Sequence, residues 1–330
     1  MRRRFAAAIG LATALIVVTS LTTRTLNGQT RAGSNQPAPK KWTQSKTAWG
    51  DPDLQGIWSY ASITPLERPS EQSAKEFLSA EEVAAANNEA ATRADRRIAD
   101  ARADVELAYN AFWWDRGTST GRTSLIIDPA DGRLPKLTPD GERRRAEAAA
   151  YRRDHQWDSY EDRPLQERCI TYHGVPPLPT GYNNNYQIYQ TPGFVTILDE
   201  NIHDARVIPL DGRPHLPPNI RLWNGDSRGH FEGSTLVVET TNYSSKTSFR
   251  FAANAETLRA VERFTRIAED KVDYRYTIYD SSTYTKPWTV ALPMTAIEGP
   301  IYEYACHEGN YGLEHVLQGA RAQDKATDRK

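Results

Sequence analysis

The stretch Lys271-Val-Asp-Tyr-Arg-Tyr-Thr-Ile-Tyr-Asp280 alternates without a break. Val272, Tyr274, Tyr276 and Ile278 fall on one face of an extended chain. Asp273, Arg275, Thr277 and Tyr279 fall on the other. Successive side chains of a strand point to opposite faces, so this pattern predicts one packed face and one wet face. That is the signature of antiparallel sheet, because parallel sheet is covered on both sides.

The same period extends in both directions. Residues 258–267 read as the preceding strand, joined through Glu269-Asp270. A second hairpin is predicted for 230–232 and 235–241, turning at Gly233-Ser234. Residues 186–190, 194–198 and 205–210 read as three more strands, with Thr191-Pro-Gly193 and Asp211-Gly212 as breakers. Residues 289–296 and 301–306 complete the set, and 122–128 supplies an early strand. Nothing alternates strand with helix, so a parallel sheet is not expected.

Helix is predicted in three places. Ser79 followed by Glu82 forms a capping box for an Ala-rich segment over 79–109. Thr138 and Pro139 open a second helix to about residue 153. A short C-terminal helix is expected over 312–322. The fold class is therefore mainly β: an antiparallel barrel or strongly curved sheet with an N-terminal helical insert at about 79–155. Closure removes exposed strand edges, which favours the barrel. Gly56-x-Trp58 entering the first strand resembles the start of lipocalin-like (calycin-like) barrels. The alternative is a β-sandwich.

The N-terminus reads as an export signal over 1–26. Arg2, Arg3 and Arg4 precede an uncharged apolar run over 5–18 and then small and hydroxyl residues. That run is short for a membrane span, which needs about 20 apolar residues. Residues 27–48 read as a disordered lead and 49–322 as a single β-rich domain, with 323–330 a flexible tail. The expected location is periplasmic or extracellular, with no stable membrane span after processing. The only two cysteines are Cys169 and Cys306. In an oxidising compartment they are expected to form a disulfide; two buried free thiols are the alternative, and a catalytic thiol the remote one.

Charge constrains partners. Lys and Arg number 41 against 42 Asp and Glu, a formal net charge of −1. A nucleic-acid partner is not expected, because counterion release needs a basic face. The chain has no H-E-x-x-H, C-x-x-C or dinucleotide fingerprint. Two His and one carboxylate are a known metal set, but the spacing here does not require one. No metal and no cofactor is expected.

Four polar clusters remain. In Tyr182-Asn-Asn-Asn-Tyr186, Tyr182, Asn184 and Tyr186 are candidates to orient a ligand; the alternative is an Asn-rich turn serving its own backbone. In Asp199-Glu-Asn-Ile-His-Asp-Ala-Arg206, His203 is a candidate general acid or base and Asn201 a binding residue. Ala205 and Val207 would share the face of His203 in an unbroken strand, which suggests that it points inward. Pairing His203 with Asp204 would need a turn or bulge. In the run from Arg221 to His230, Trp223 is a candidate to stack on a ligand, and Asp226 and Arg228 fit a structural salt bridge. In Tyr302-Glu-Tyr-Ala-Cys-His-Glu-Gly-Asn310, Glu303 and His307 are candidate catalytic partners of His203, and Asn310 a binding residue or a helix cap.

Four runs carry a resemblance: Asn183-Asn-Asn-Tyr-Gln-Ile188, the run from His203 to Leu216, the run from Gly225 to Thr240, and Tyr302 to Gly312. They resemble a family of exported proteins of soil bacteria. The resemblance implies export and the fold core and carries no activity with it. Phe231 departs from the family's pattern, which usually has Trp before Glu-Gly.

The function expected is an exported small-molecule enzyme using metal-independent acid–base chemistry: a lyase, isomerase or hydrolase step on an aromatic, terpenoid or sugar-derived compound. The alternative is a lipocalin-like, non-catalytic carrier of a hydrophobic ligand. The two differ in the lumen: a carrier needs an apolar cup, an enzyme converging ionisable groups.

Overall fold

The computed structural model describes residues 42–94, 114–115, 117–172, 174–247 and 253–327. The expected export signal and most of the expected lead lie outside the described residues, as does 95–109 of the first expected helix.

Eleven strands form one antiparallel sheet that curls almost into a barrel. They are β1 (Gly56–Ser59), β2 (Ile126–Asp128), β3 (Asn185–Thr191), β4 (Phe194–Asp199), β5 (Ala205–Pro209), β6 (Asp226–Glu232), β7 (Thr235–Thr241), β8 (Arg259–Ala268), β9 (Lys271–Tyr279), β10 (Trp288–Ala291) and β11 (Met294–Ala296). The hydrogen-bonded order is β5-β4-β3-β1-β11-β9-β8-β7-β6, with β10 on β9 and β2 on β10. β5 and β6, the two ends of this order, lie side by side. No ladder joins them among the described residues. This leaves a seam.

The alternation of residues 271–280 sets the wall. Val272, Tyr274, Tyr276 and Ile278 are buried, and β9 pairs Tyr274 with Phe264 and Tyr276 with Glu262 of β8. Both predicted hairpins turn where expected, at Gly233-Ser234 and Glu269-Asp270. The interior is aromatic and in contact. Phe264 stacks on Tyr274 at 4.5 Å between ring centroids. Tyr276 meets Trp288 at 6.3 Å, and Tyr60 meets Tyr186 edge-on at 4.9 Å. Each such buried ring contributes about 1.5–3 kcal/mol through removal of apolar surface from water.

Helices flank the sheet: α1 (Ala80–Ala94), α2 (Pro139–His155) and α3 (Gly312–Thr327). The capping box forms, with the Ser79 amide donating to Glu82 Oε2 at 2.6 Å and the Glu82 amide to Ser79 Oγ at 3.3 Å. Thr138 caps α2 through the Gly141 amide at 3.1 Å. Gly141 is needed there: a β-carbon would lie 2.6 Å from the Thr283 carbonyl oxygen. No helix among the described residues is long and apolar enough to cross a membrane.

Several local expectations are corrected. Residues 301–306 form no strand. Tyr302 and Glu303 are exposed, and the segment is held by side-chain links rather than a ladder. Both edges of its nearest strand, β11, are already paired, to β1 and β9. α3 continues through residue 327, past the expected fraying point at 323, pinned where Arg321 donates to the carbonyls of Trp157 (3.0 Å) and Asp158 (2.9 Å). Residues 42–48, assigned to the lead, are partly folded: Lys46 bridges Pro52, and the Thr47 amide donates to Asp51 at 2.8 Å.

Cys169 and Cys306 are joined by a disulfide, with Cα atoms 5.7 Å apart and a sequence separation of 137. It ties the segment before α3 to the loop before β3.

Candidate functional site

β4 and β5 are joined by a strained turn. The Asp199 amide donates to the Asp204 carbonyl at 2.9 Å, and the Asn201 amide to Asp199 Oδ1 at 3.1 Å. Between them the chain makes a single 3-10 turn over Asn201–His203. Ile202 sits at φ 62° and ψ 16°, the left-handed region. For a β-branched residue this is an outlier costing on the order of 1–3 kcal/mol. Ile202 is nonetheless buried, so its side chain compensates by packing.

The residue before it carries the second anomaly. Asn201 is 2% exposed. Neither its Oδ1 nor its Nδ2 has a hydrogen-bond partner among the described residues. Leaving a buried polar atom unpaired costs about 1–3 kcal/mol. Neighbouring Glu200 is half-buried and accepts from Asn185 Nδ2 at 2.6 Å. Burial raises its pKa above the ordinary carboxylate value, and hydrogen bonds from Asn185 and Asn183 only partly offset this.

Past the turn the seam opens into a cleft of about 600 Å3. Asp204, Arg206 and Val207 line it together with Trp223, Asn224, Asp226 and Ile170. Ile170 follows Cys169, so the disulfide corner abuts this cleft. Thr171 Oγ1 donates to Asn224 Oδ1 across it at 3.2 Å.

The inward face of β5 is the opposite of the one expected. Ala205 and Val207 are exposed, Val207 at 57%. Arg206 and Ile208 point inward, because the Arg206 guanidinium finds Glu262 inside the barrel. It makes two hydrogen bonds to that carboxylate, one of them 3.0 Å long. Tyr274 Oη donates to the same carboxylate at 2.8 Å. Burial alone would lower the Arg206 pKa; the Glu262 charge outweighs it and the net shift is upward. The Tyr274 phenol is raised by burial and then by Glu262. Tyr186 and Tyr60 are raised likewise, by burial and by Asp199.

The expected residues separate into groups. Asn201, the backbone of His203, and Trp223 come to the seam or the turn leading into it. Asn184 is fully buried, and its carboxamide is used within the chain: Oδ1 accepts from Thr180 N (2.8 Å), and Nδ2 donates to Asp115 O and Thr180 O (both 3.1 Å). Tyr186 is packed inside the barrel. Tyr182 is half-buried beside Trp114 and Tyr172. Asn310 braces the disulfide corner, donating to Glu167 O (3.2 Å) and Cys169 Sγ (3.4 Å). Glu303 and His307 are exposed on the segment that this corner holds.

One arrangement was not anticipated. His215 Nδ1 lies 2.8 Å from Asp226 Oδ2, and its Nε2 lies 3.4 Å from Glu239 Oε1. Asp226 also receives Arg228 at 2.6 Å, the expected salt bridge, and the Leu216 amide at 3.1 Å. The signal was present only as a histidine 11 residues before an aspartate. Their meeting depends on the loop over 210–225 folding back, which no local pattern encodes.

The chain matches no family model, no curated protein and no solved structure. The chemistry is therefore read from the site itself. Among the described residues, no group of three His, Cys, Asp or Glu is placed to hold a metal ion. What the seam offers is one aromatic ring, Trp223, and the carboxylates of Asp204 and Asp226; the Asn201 amide, with both hydrogen-bonding ends unused, lies in the turn that precedes Asp204.

Proposed function

We propose that the chain is an exported enzyme acting on a small organic molecule at the β5–β6 seam by general acid–base chemistry. The observation that carries this reading is the buried, unpaired carboxamide of Asn201 in a strained turn that leads into a cleft of ligand size. Fold stability alone does not account for two unpaired buried atoms beside a left-handed isoleucine. A ligand offering both a donor and an acceptor, such as a hydroxyl, would satisfy Asn201. Trp223 provides a face for an aromatic, terpenoid or sugar-ring body.

In this reading His203, which ends the turn, takes or gives the proton. Its counterpart is His307 or Glu303, on the segment that the disulfide ties to Cys169, the neighbour of the cleft-lining Ile170. The reaction is a lyase, isomerase or hydrolase step. Export is supported by the Arg-led apolar start and by a disulfide that uses both cysteines. A non-catalytic carrier with an apolar lumen draws less support, because contacting rings occupy interior positions.

The test is a turnover screen of aromatic, terpenoid and sugar-derived compounds with the mature protein. For a compound that is converted, Asn201→Ala and Trp223→Ala are each expected to raise KM about 10-fold or more. Conversion that both variants leave unchanged would place the site elsewhere.

A further inference from the structure

A second cleft, of about 640 Å3, lies among residues 218–221, 241–242, 256–259 and 279–287. Leu258, Pro218 and Pro287 give it apolar surface. Its charge is biased. Arg221, Arg259 and Lys286 stand against Glu256 and Asp280. Asp280 keeps its negative charge while accepting from Asn254 N (2.7 Å), Thr257 Oγ1 (2.7 Å), Ser282 Oγ (3.0 Å) and Thr283 N (3.1 Å). Arg259 lies over the Tyr279 ring at 4.0 Å and pairs with Glu239 at 2.7 Å. Exposed Lys286 has no ion pair among the described residues.

The wall of this cleft holds Tyr284, which is 2% exposed. Its hydroxyl has no hydrogen-bond partner among the described residues. Trp288, edge-on to it at 5.8 Å, has an indole N–H that is also unpartnered. Trp Nε1–H only donates, and burial raises the Tyr284 pKa, which keeps the phenol a donor at neutral pH. Each of these unpaired donors calls for an acceptor oxygen. Tyr284 also borders a smaller hollow of about 300 Å3, where Glu67 and Glu142 oppose Lys136 and Arg145. The larger cleft is the one bordered by Lys286.

We propose that this cleft, which adjoins the seam cleft at Arg221, is a second small-molecule site that takes a compact organic carboxylate: its apolar body lies against Leu258, Pro218 and Pro287, and its oxygens meet Lys286 and the Tyr284 hydroxyl. It does not depend on the acid–base reading of the seam.

Benzoate is the probe, with benzyl alcohol as its neutral counterpart. Titration of the mature protein by calorimetry and by NMR of the Trp indole signals reads the binding. Saturable benzoate binding is expected at millimolar concentration or below, with benzyl alcohol at least about 10-fold weaker. Tyr284→Phe removes only the hydroxyl, and Lys286→Ala only an exposed charge. Each is expected to weaken benzoate about 10-fold, whereas Trp223→Ala at the seam leaves it unchanged. No saturable binding, equal affinity in Tyr284→Phe, or loss in Trp223→Ala instead would overturn the proposal. In the first two cases the donor pair is served by a buried water.

Discussion

Arg206 on β5 reaches across the barrel interior to Glu262 on β8, and the Glu262 side chain is fully buried. β5 and β8 are not neighbours in the sheet order. The ion pair therefore ties an edge strand to the opposite flank of the seam, where no ladder does so. Removing one partner leaves a buried charge uncompensated. Glu262→Gln is expected to cost about 3–5 kcal/mol in urea unfolding, whereas the paired change Arg206→Met with Glu262→Leu is expected to recover most of it. A single-variant cost below about 1 kcal/mol would show that the pair does not close the barrel.

The seam also relies on a missing side chain. A β-carbon at Gly229 of β6 would lie 2.8 Å from Ile208 Cγ2 of β5 and 2.9 Å from Leu210 Cδ2. Glycine lets the two edge strands approach. Gly229→Ala is expected to destabilise by about 1–3 kcal/mol, and Gly229→Val by more. Chemical denaturation checks this, and an unchanged midpoint in both variants would mean that the strands do not touch there.

Reduction of the Cys169–Cys306 bond releases a loop with a sequence separation of 137. The expected loss is about 2–5 kcal/mol. Thermal unfolding with and without reductant, and of Cys306→Ser, measures it. Titration of two free thiols in the purified protein would contradict the bond itself.

Asp280 sets an acid limb. Burial would raise its pKa, but hydrogen bonds from Thr283, Thr257, Asn254 and Ser282 prevail and hold it below the ordinary value. A depressed carboxylate contributes stability that is present above its unfolded pKa and lost as pH falls through the folded one. Stability is therefore expected to decline below about pH 4. Asp280→Asn, measured from about pH 6 to about pH 3, is expected to flatten that decline as well as lower the plateau. An unaltered slope would assign the acid limb to other groups.

Much of the wall was legible because its rules are local. The alternation from Lys271 to Asp280, the two hairpin turns and the Thr138 cap each depend on a few adjacent residues, and each forms as read. The disulfide was legible from the cysteine count and the expected compartment. What failed was orientation set from afar. Val207 appeared to belong inside and Arg206 outside, yet the deciding partner, Glu262, is 56 residues away. Tyr302-Glu303-Tyr304 alternates like a strand, but its nearest strand, β11, has no free edge. The His215–Asp226 pair and the unpaired Asn201 amide likewise depend on tertiary placement, so the seam was visible only in parts: a histidine, an asparagine and a tryptophan without the hollow between β5 and β6.

The central claim is that the turn ending in His203 serves proton transfer at the seam. The most direct measurement is kcat for a compound found in the turnover screen, with wild type and His203→Gln, alongside thermal unfolding of the same samples. The account predicts a fall in kcat of about 100-fold or more with the melting temperature within about 2 °C of wild type. Unchanged kcat, a loss of activity that tracks loss of folding, or no conversion of any compound by the wild type would contradict it.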